Sequence, residues 1–309
     1  MFCSMKSKLS VSPCNLCPRE CGALRTSGQI GFCAAPAQLT AARAALHMWE
    51  EPCISGERGS GTVFFSGCNL RCVYCQNHEI AHMEIGKEIT IEHLAKIFLS
   101  LQEKGAHNIN LVTPSHYVLA IIEALELAKK QGLILPIVYN CSGYEKVEAI
   151  QALQGLVNIY LVDFKYMDSQ LAAKYSHAPD YPEVAKAALA QMATQTGEAR
   201  FDEQQMMQKG VIARHLLLPG AVANAKQVIS YVYETYKDTV YLSLMNQYTP
   251  MEYIKQKEEL TEINRKVTKR EYDTIVNYAI ELGVENGFIQ EGKTAQESFI
   301  PLFDYEGIE

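Results

Sequence analysis

The 309-residue sequence has no apolar run long enough to cross a bilayer, and no hydrophobic stretch follows the lysines of its opening, MFCSMKSKLS. These two absences argue against a transmembrane helix and a secretory signal, so we expect a cytoplasmic protein without a membrane partner. Positive charge is not in excess either, since 28 Lys and Arg stand against 35 Asp and Glu, a formal net charge of -7. This balance argues against a nucleic acid partner bound by bulk electrostatics.

Cysteine, in contrast, is abundant and unevenly placed. Nine of the ten cysteines precede residue 76. In a reducing compartment such clustering indicates metal or cluster ligation rather than disulfides. The cysteines form two groups with different spacing. The first group, CxxCxxxCx11C, is Cys14, Cys17, Cys21 and Cys33, and the second, CxxxCxxC, is Cys68, Cys72 and Cys75.

The chain after the turn-rich stretch SGERGSG alternates short apolar runs with helical patterns. The runs have the length and β-branched content of buried strands. They are residues 62–67, 108–112, 134–140, 158–164, 211–218 and 239–245. In the helical patterns between them, Thr90 is a candidate N-cap, and Gly105 and Gly132 are candidate ends. The alternation predicts an α/β fold, a partial (β/α)6 TIM-like barrel, although a doubly wound sheet would give the same pattern.

We divide the chain into two predicted domains at the SGERGSG stretch. Residues 1–58 are expected to form a small cysteine-rich segment that holds a metal or an iron-sulfur cluster, and residues 59–309 a core barrel with a C-terminal helical extension. Parallel strands of either α/β arrangement place ligands at their carboxyl ends. We therefore expect the functional site where the predicted strands end.

The second cysteine group is one ligand short of a saturated metal site. Catalytic zinc keeps an open position, but its three protein ligands usually include histidine or a carboxylate. A [4Fe-4S] cube held by Cys68, Cys72 and Cys75 would leave one iron free to bind another molecule. We interpret the missing ligand as a functional feature.

The CxxxCxxC motif, with an aromatic residue before its last cysteine and a predicted strand before its first, resembles the cluster motif of the radical S-adenosylmethionine (radical SAM) enzymes. In that family SAM chelates the free iron, and an electron from the cluster cleaves its sulfonium to a 5'-deoxyadenosyl radical that abstracts hydrogen from a substrate. The chain resembles in particular the homologues of the pyruvate formate-lyase activating enzyme. The matching stretches are CxxCPRxCG, WEEPxISG, GSGTxFFSGCNLRCxYCQN, NINLVTPxHY and DFKY, at residues 14–22, 49–56, 59–77, 108–117 and 163–166.

The resemblance implies roles for five further residues. Tyr74 would pack near the adenine of SAM, or shield the cluster. Asn140 in YNCSGY would bind a ribose hydroxyl, or simply end a strand. Asp163 and Lys165 would face the barrel mouth and meet the methionine part of SAM, and Arg214 would clamp the SAM carboxylate or the substrate. A structural ion pair is the alternative for these last three.

Two departures from the family pattern stand out. The sequence LVTPSH replaces the Gly-Gly-Glu that helps to bind the SAM amino group, so Thr113 and backbone carbonyls would have to substitute. MNQYTP stands where the activating enzymes carry a histidine, which makes Asn246, Gln247 and Tyr248 the candidates for that place. His116 and His215 lie at strand ends, where a lone histidine is more often structural.

The first cysteine group is a complete set of four ligands in an irregular segment with little apolar material. A bound metal is therefore a plausible source of its fold, and both zinc and an auxiliary iron-sulfur cluster fit the ligand count. Cys53 either joins one of the sites or is free. Cys3 and Cys141 are not expected to be ligands.

Taken together, the residues and the resemblance predict a radical SAM oxidoreductase that requires a [4Fe-4S] cluster and SAM. An external one-electron donor of the flavodoxin or ferredoxin type is implied, and the expected substrate is a protein, by resemblance a glycyl-radical enzyme. One alternative is radical modification of another protein, a peptide or a small molecule. Alternatives from other classes are a non-catalytic iron-sulfur electron carrier or scaffold, and a zinc-dependent nucleic-acid-binding protein, which the charge disfavours.

Overall fold

The computed structural model describes residues 8–290 and 301–309, so Cys3 lies outside the described residues. Within them the strands are β1 (Leu39–His47), β2 (Ser60–Phe65), β3 (Lys87–Ile89), β4 (Ile109–Val112), β5 (Ile137–Cys141), β6 (Ile159–Asp163), β7 (Arg200–Phe201), β8 (Met207–Leu216), β9 (Val240–Met245) and β10 (Gly287–Ile289). The helices are α1 (Pro52–Ser55), α2 (His78–Ala81), α3 (Ile91–Glu103), α4 (Val118–Lys130), α5 (Val147–Ala152), α6 (Ser169–Ser176), α7 (Tyr181–Thr196), α8 (Val222–Tyr236), α9 (Glu252–Lys255) and α10 (Lys269–Leu282).

The predicted helix ends are found where the sequence placed them. The Thr90 hydroxyl accepts the backbone N–H of His93 at 3.1 Å, which caps α3. Gly105 and Gly132 follow α3 and α4 with φ of +85° and +104°, a conformation that glycine adopts without a Cβ penalty.

All six predicted strands are present and form the centre of one sheet, in the order β10-β9-β8-β6-β5-β4-β2-β1-β3. From β2 to β10 the neighbours along this path are parallel. Every residue of β4 and β5 is buried, as expected of parallel strands covered on both faces. β7 is a short strand that pairs antiparallel with the beginning of β8.

The sheet is strongly curved rather than flat. Phe64 of β2 and Phe288 of β10, although several strands apart in the sheet order, line the same cavity. A doubly wound sheet would hold these strands at opposite edges, whereas a curled sheet brings them around a common interior. The fold is therefore a partial (β/α)6 barrel with an open side, as predicted.

The cysteine-rich N-terminal segment also contributes to the sheet, which the sequence did not indicate. β1 runs antiparallel to β2, with Ala44 opposite Val63, and β3 pairs with the outer edge of β1. Residues 39–47 thus share the sheet of the barrel, and the domain division at residue 58 stays a prediction. No helix in the part of the chain that the structure describes combines the length and the apolarity needed to cross a membrane.

Candidate active site

A cavity of about 560 Å³ opens at the carboxyl ends of the parallel strands and runs into the barrel interior. Among its lining residues are all three cysteines of the second group and every other residue that the resemblance assigned to SAM. The lining includes Cys68, Cys72, Tyr74, Cys75, Thr113, Asn140, Asp163, Lys165, Arg214 and Gln247. The structure therefore brings the predicted site residues together, while their roles stay predictions.

The three cysteines lie on the loop that follows β2, and the surroundings of their sulfur atoms fit metal-bound thiolates. Cys68 Sγ accepts the backbone N–H groups of Leu70 and Arg71 at 3.4 and 3.5 Å. Cys72 Sγ accepts a hydrogen bond from the Ser176 hydroxyl at 2.9 Å. Hydrogen bonds to sulfur stabilise the thiolate that a cluster requires.

Burial opposes ionisation of two of these thiols, those of Cys72 and Cys75, when no metal compensates them. It raises the pKa of Cys72 and of Cys75, and the neighbouring thiols raise the pKa of Cys75 further. Lys165 acts in the opposite direction on both. Since metal binding requires the deprotonated ligands, a bound cationic iron-sulfur core would supply the compensation that the protein lacks.

Within residues 8–290 and 301–309, no three His, Cys, Asp or Glu side chains converge closely enough to hold a single metal ion. In a [4Fe-4S] cube each thiolate binds a different iron, so the thiolates surround the cluster without meeting at one ion. The arrangement of the three cysteines is compatible with a cluster on that ground.

The surroundings of Tyr74 are compatible with both roles considered for it, a contact with adenine and shielding of the cluster. Its side chain lines the cavity, and its hydroxyl lies 2.7 Å from that of Tyr166. Tyr166 in turn bonds Ser176 at 2.8 Å, and Ser176 donates to Cys72. The tyrosine therefore faces the cavity and also belongs to a hydrogen-bond chain that ends at a cysteine sulfur.

The polar residues from β5, β6 and β8 form one network around the Arg214 guanidinium. Its Nε donates to Asp163 at 2.7 Å, Nη1 to Glu50 at 2.7 Å and Nη2 to Asn140 at 2.8 Å. Lys165 Nζ donates to the second oxygen of Asp163 at 2.8 Å. All three guanidinium nitrogens thus bind protein oxygens, and a ligand would have to use the second N–H of Nη1 or Nη2.

The charges in this network are strongly coupled. Burial alone would raise the pKa of Asp163, but Arg214 and Lys165 outweigh it and hold this pKa at about 2. Asp163 is therefore a carboxylate throughout the physiological range, and it keeps both cations fixed at the floor of the cavity.

Glu50 and Glu51 are site residues that the sequence interpretation missed. They stand in the quoted motif WEEPxISG, to which no role was given. Glu50 Oε1 accepts from Asn110 Nδ2 at 2.9 Å and from Asn140 Nδ2 at 3.0 Å, so it ties the segment before α1 to β4 and β5. Both glutamate side chains are more than nine-tenths buried, at 8% and 7% exposure. The motif itself was the only signal that could have found them.

Thr113 directly follows β4, where the family carries Gly-Gly-Glu, and it lines the cavity. Its φ of +57° is exceptional for a β-branched residue. The Thr113 N–H donates to the Asn140 carbonyl at 3.0 Å and so extends the pairing of β4 with β5 by one residue.

The remaining candidate residues differ in whether their side chains face the cavity. Gln247 lines the cavity, whereas the Tyr248 hydroxyl is turned away to the Ile263 carbonyl at 2.6 Å. His116 and His215 bond the carbonyls of Ser66 and Phe164 at 2.8 and 2.9 Å. Burial lowers their pKa values to about 3 and about 4, so both are neutral structural histidines.

The first cysteine group lies beside this loop. Cys14, Cys17 and Cys33 are buried and Cys21 is exposed. Burial raises the pKa of Cys17 to about 12, and the nearby thiols Cys33 and Cys14 add to it. The buried Arg25 lies 3.9 Å from Cys14 Sγ, where it can neutralise thiolate charge. As in the rest of the described residues, no three of these thiols converge closely enough to hold a single ion such as zinc, and whether the group binds a cluster or any metal stays a prediction.

The other cysteines lie apart from this group. Cys53 packs with Ile159 and Ile212 in a separate apolar cluster. Cys141 ends β5 and lines the cavity beside Asn140. Of the alternatives left open for Cys53, its position in this apolar cluster favours a free thiol, and that Cys141 is not a ligand stays a prediction.

Residues 62–193 match the sequence model of the Radical SAM superfamily. The uncharacterized protein MJ0674 of Methanocaldococcus jannaschii is 27% identical over 275 residues, 86% of this chain and 74% of that protein. The pyruvate formate-lyase-activating enzyme of Clostridium pasteurianum is 36% identical over 111 residues, 34% of this chain and 45% of the enzyme.

Among solved structures, a radical SAM methyltransferase from Sphaerobacter thermophilus gives a TM-score of 0.50 at 14% identity, covering 75% of this chain and 66% of that chain. At this identity the likeness shows the fold alone. The match to the activating enzyme of Clostridium pasteurianum spans less than half of that enzyme.

Proposed function

Residues 62–193 of this chain match the radical SAM superfamily, and from that premise we propose that the protein cleaves SAM reductively and abstracts hydrogen from a protein substrate. Cys68, Cys72 and Cys75 would hold the [4Fe-4S] cluster that the superfamily implies. When bound there, the cluster would supply one electron to the sulfonium of SAM, giving methionine and a 5'-deoxyadenosyl radical.

The observation that carries the proposal is the shared cavity. The three thiols on the loop after β2 and the polar residues at the ends of β5, β6 and β8 face the same space. We assign the adenine contact to Tyr74, the ribose contact to Asn140, and the methionine contacts to Asp163 and Lys165. Because Arg214 is held by three protein partners, we assign it to fixing Asn140 and Asp163 in place, with its second N–H groups available to the ligand.

For the substrate we propose a glycine of a glycyl-radical enzyme. The 36% identity to the activating enzyme of Clostridium pasteurianum supports this choice. The 5'-deoxyadenosyl radical would take one hydrogen atom from the glycine Cα, giving 5'-deoxyadenosine and a glycyl radical. The electron would come from a flavodoxin or ferredoxin, and the first cysteine group would hold zinc or an auxiliary cluster.

The test is an anaerobic assay of the protein reconstituted with iron and sulfide. After reduction with dithionite and addition of SAM, the wild type should form 5'-deoxyadenosine and the reduced cluster should change its EPR spectrum. The absence of both would show that the chain does not cleave SAM, and would favour an electron carrier or scaffold.

The substrate step is tested separately, with a purified glycyl-radical enzyme whose glycines carry deuterium at Cα. We expect a glycyl radical EPR signal and deuterium in the 5'-deoxyadenosine. Formation of 5'-deoxyadenosine without deuterium transfer would point to another protein, a peptide or a small molecule as substrate.

A further inference from the structure

Ser176, the last residue of α6, is buried against the loop of the second cysteine group, from which it is 104 positions away in the chain. Its hydroxyl lies 2.9 Å from Cys72 Sγ and 2.8 Å from the Tyr166 hydroxyl. Neither the cysteine spacing nor the family resemblance assigns a role to this serine. A polar contact to a candidate cluster ligand from outside the motif calls for a function of its own.

Hydrogen bonds to the backbone hold the end of α6 in place beside the loop. The Val73 N–H donates to the Tyr175 carbonyl at 2.8 Å. Arg19 Nη2 donates to the Ser176 carbonyl at 3.2 Å. Because the residues next to both partners are bonded in this way, the contact between the Ser176 hydroxyl and Cys72 Sγ is fixed from two sides.

A metal-bound Cys72 sets the direction of every proton in the hydroxyl chain. A bound thiolate has no proton and can only accept, so the Ser176 hydroxyl must donate to it. The serine has then used its single proton, and its oxygen accepts from Tyr166. By the same reasoning Tyr166 accepts from Tyr74, whose hydroxyl lies 2.7 Å away. All three hydroxyls therefore donate toward the sulfur, and hydrogen bonds aligned in this way strengthen one another.

The surroundings of the chain preserve its effect on the sulfur. The side chains of Tyr74, Tyr166 and Ser176 are all buried, so water does not compete for their hydroxyls. A donor to a thiolate stabilises the reduced cluster more than the oxidised one, because the reduced cluster carries an additional electron. Hydrogen bonds to the sulfur atoms are among the factors that set the reduction potential of an iron-sulfur cluster.

We propose that Ser176 raises the reduction potential of the cluster bound by Cys72, and that Tyr166 keeps the serine proton directed at the sulfur. The step affected is the one-electron reduction of the cluster by its external donor, and no proton or bond is transferred along the chain. Both residues act through Cys72 and are positioning residues. The proposal deepens the proposed function, since it rests on Cys72 as a ligand of the cluster.

The experiment measures the midpoint potential of the cluster in the anaerobically reconstituted holoprotein, without SAM, by a redox titration followed by EPR. The wild type is compared with Ser176→Ala, Ser176→Thr and Tyr166→Phe. The signal to follow is the one that Cys75→Ala abolishes, which separates it from any cluster of the first group. Iron content and melting temperature are recorded for each variant.

Two matched controls remove the same groups elsewhere in the chain. Ser230 in α8 is also a helical serine bonded to a tyrosine hydroxyl, that of Tyr278 at 2.6 Å. Tyr160 is also a buried tyrosine, and its hydroxyl donates to Gln195 at 2.7 Å. Ser230→Ala and Tyr160→Phe therefore lose comparable hydrogen bonds that do not reach a cysteine sulfur.

We expect Ser176→Ala to make reduction of the cluster about tenfold less favourable, a decrease of about 59 mV in the midpoint potential for one electron. Tyr166→Phe should give a smaller decrease, because the serine hydroxyl remains but is no longer held in one direction. Ser176→Thr keeps the hydroxyl and should restore most of the wild-type potential. Both controls should have the wild-type potential.

The inference is overturned if Ser176→Ala holds its cluster at the wild-type potential, whatever its melting temperature, or if a control shifts as much as Ser176→Ala does. Should Ser176→Ala lose the cluster, Tyr166→Phe decides, since it leaves the serine hydroxyl on the sulfur; an unchanged potential then overturns the inference and a lower one supports it. The predicted shifts in a protein that forms no 5'-deoxyadenosine would remove the proposed function and leave this inference standing.

Discussion

The two cysteine groups differ in how the chain holds them. The first group, Cys14 to Cys33, lies in an irregular segment whose backbone is fixed by local bonds, such as Gly22 N–H to the Cys14 carbonyl at 3.0 Å. The second, Cys68 to Cys75, follows the fully buried strand β2 and faces the cavity. Four thiols can close a metal site and three leave a position open, so the first group suits a structural or auxiliary site and the second a catalytic one.

The segments that carry the two cysteine groups are nevertheless in direct contact through hydrogen bonds. The Cys68 N–H donates to the Cys33 carbonyl at 3.3 Å. Arg19, between Cys17 and Cys21, donates its Nε–H to the Asn69 carbonyl at 2.9 Å. The first group is therefore packed directly on the loop of the second, and a change at one site can reach the other through a few hydrogen bonds.

The substitution with the largest expected effect on activity acts on the second cysteine group and leaves the first group intact. Cys75→Ala removes one of three cluster ligands, so 5'-deoxyadenosine formation should fall to background, while the metal of the first group is retained. The assay is anaerobic product formation together with iron and zinc analysis. Cys53→Ala, in an apolar cluster away from both groups, is the control. Activity that survives Cys75→Ala would contradict the assignment of the catalytic cluster.

Cys17→Ala tests the first group in the same way. The protein should lose about one zinc per chain, or the iron of one cluster, and its melting temperature should fall because the segment has little apolar core of its own. Formation of 5'-deoxyadenosine should decrease less than in Cys75→Ala. Metal analysis and calorimetry measure both effects. An unchanged metal content would show that these four cysteines hold no metal.

Much of this arrangement was predictable from the sequence, because it depends on local patterns. Short stretches of sequence determine the parallel strands, the caps at Thr90 and Gly105 and the cysteine spacing. β1 was missed because its run, LTAARAALH, is rich in alanine and has a single β-branched residue, Thr40. Glu50 was missed because its role arises from contacts with Arg214 and Asn140, which are 164 and 90 positions away.

Titration of Glu145, which lies near the first cysteine group, should have a smaller effect, on the free energy of unfolding. Glu145 is buried beside Cys17, and burial raises its pKa from 4.5 to about 7, although hydrogen bonds from Ser115 and Tyr139 oppose the rise. Between these two values the folded state binds more protons than the unfolded state, so stability falls as pH increases. The loss should total about 3 kcal/mol and should level off above pH 7.

Unfolding free energies measured from pH 5 to pH 8 check this prediction. Glu145→Gln should flatten the dependence, since the amide does not titrate, while Glu123→Gln, at an exposed residue of α4, should keep the wild-type slope. A Glu145→Gln profile as steep as the wild type would assign the pH dependence to another group.

Arg19→Met should have the smallest effect, because it removes hydrogen bonds and a ring contact beside the two groups but no candidate cluster ligand. The Arg19 guanidinium also lies 4.0 Å from the ring centre of Phe32 and donates to the Ser176 carbonyl at 3.2 Å. Methionine keeps the apolar volume and loses these bonds, which should cost about 1–2 kcal/mol of stability and lower the rate of SAM cleavage by tenfold or less. Arg58→Met, which removes an exposed arginine near His107, is the control. If both variants match the wild type in melting temperature and rate, the first group does not support the catalytic loop, and the contact between the cysteine groups has no energetic role.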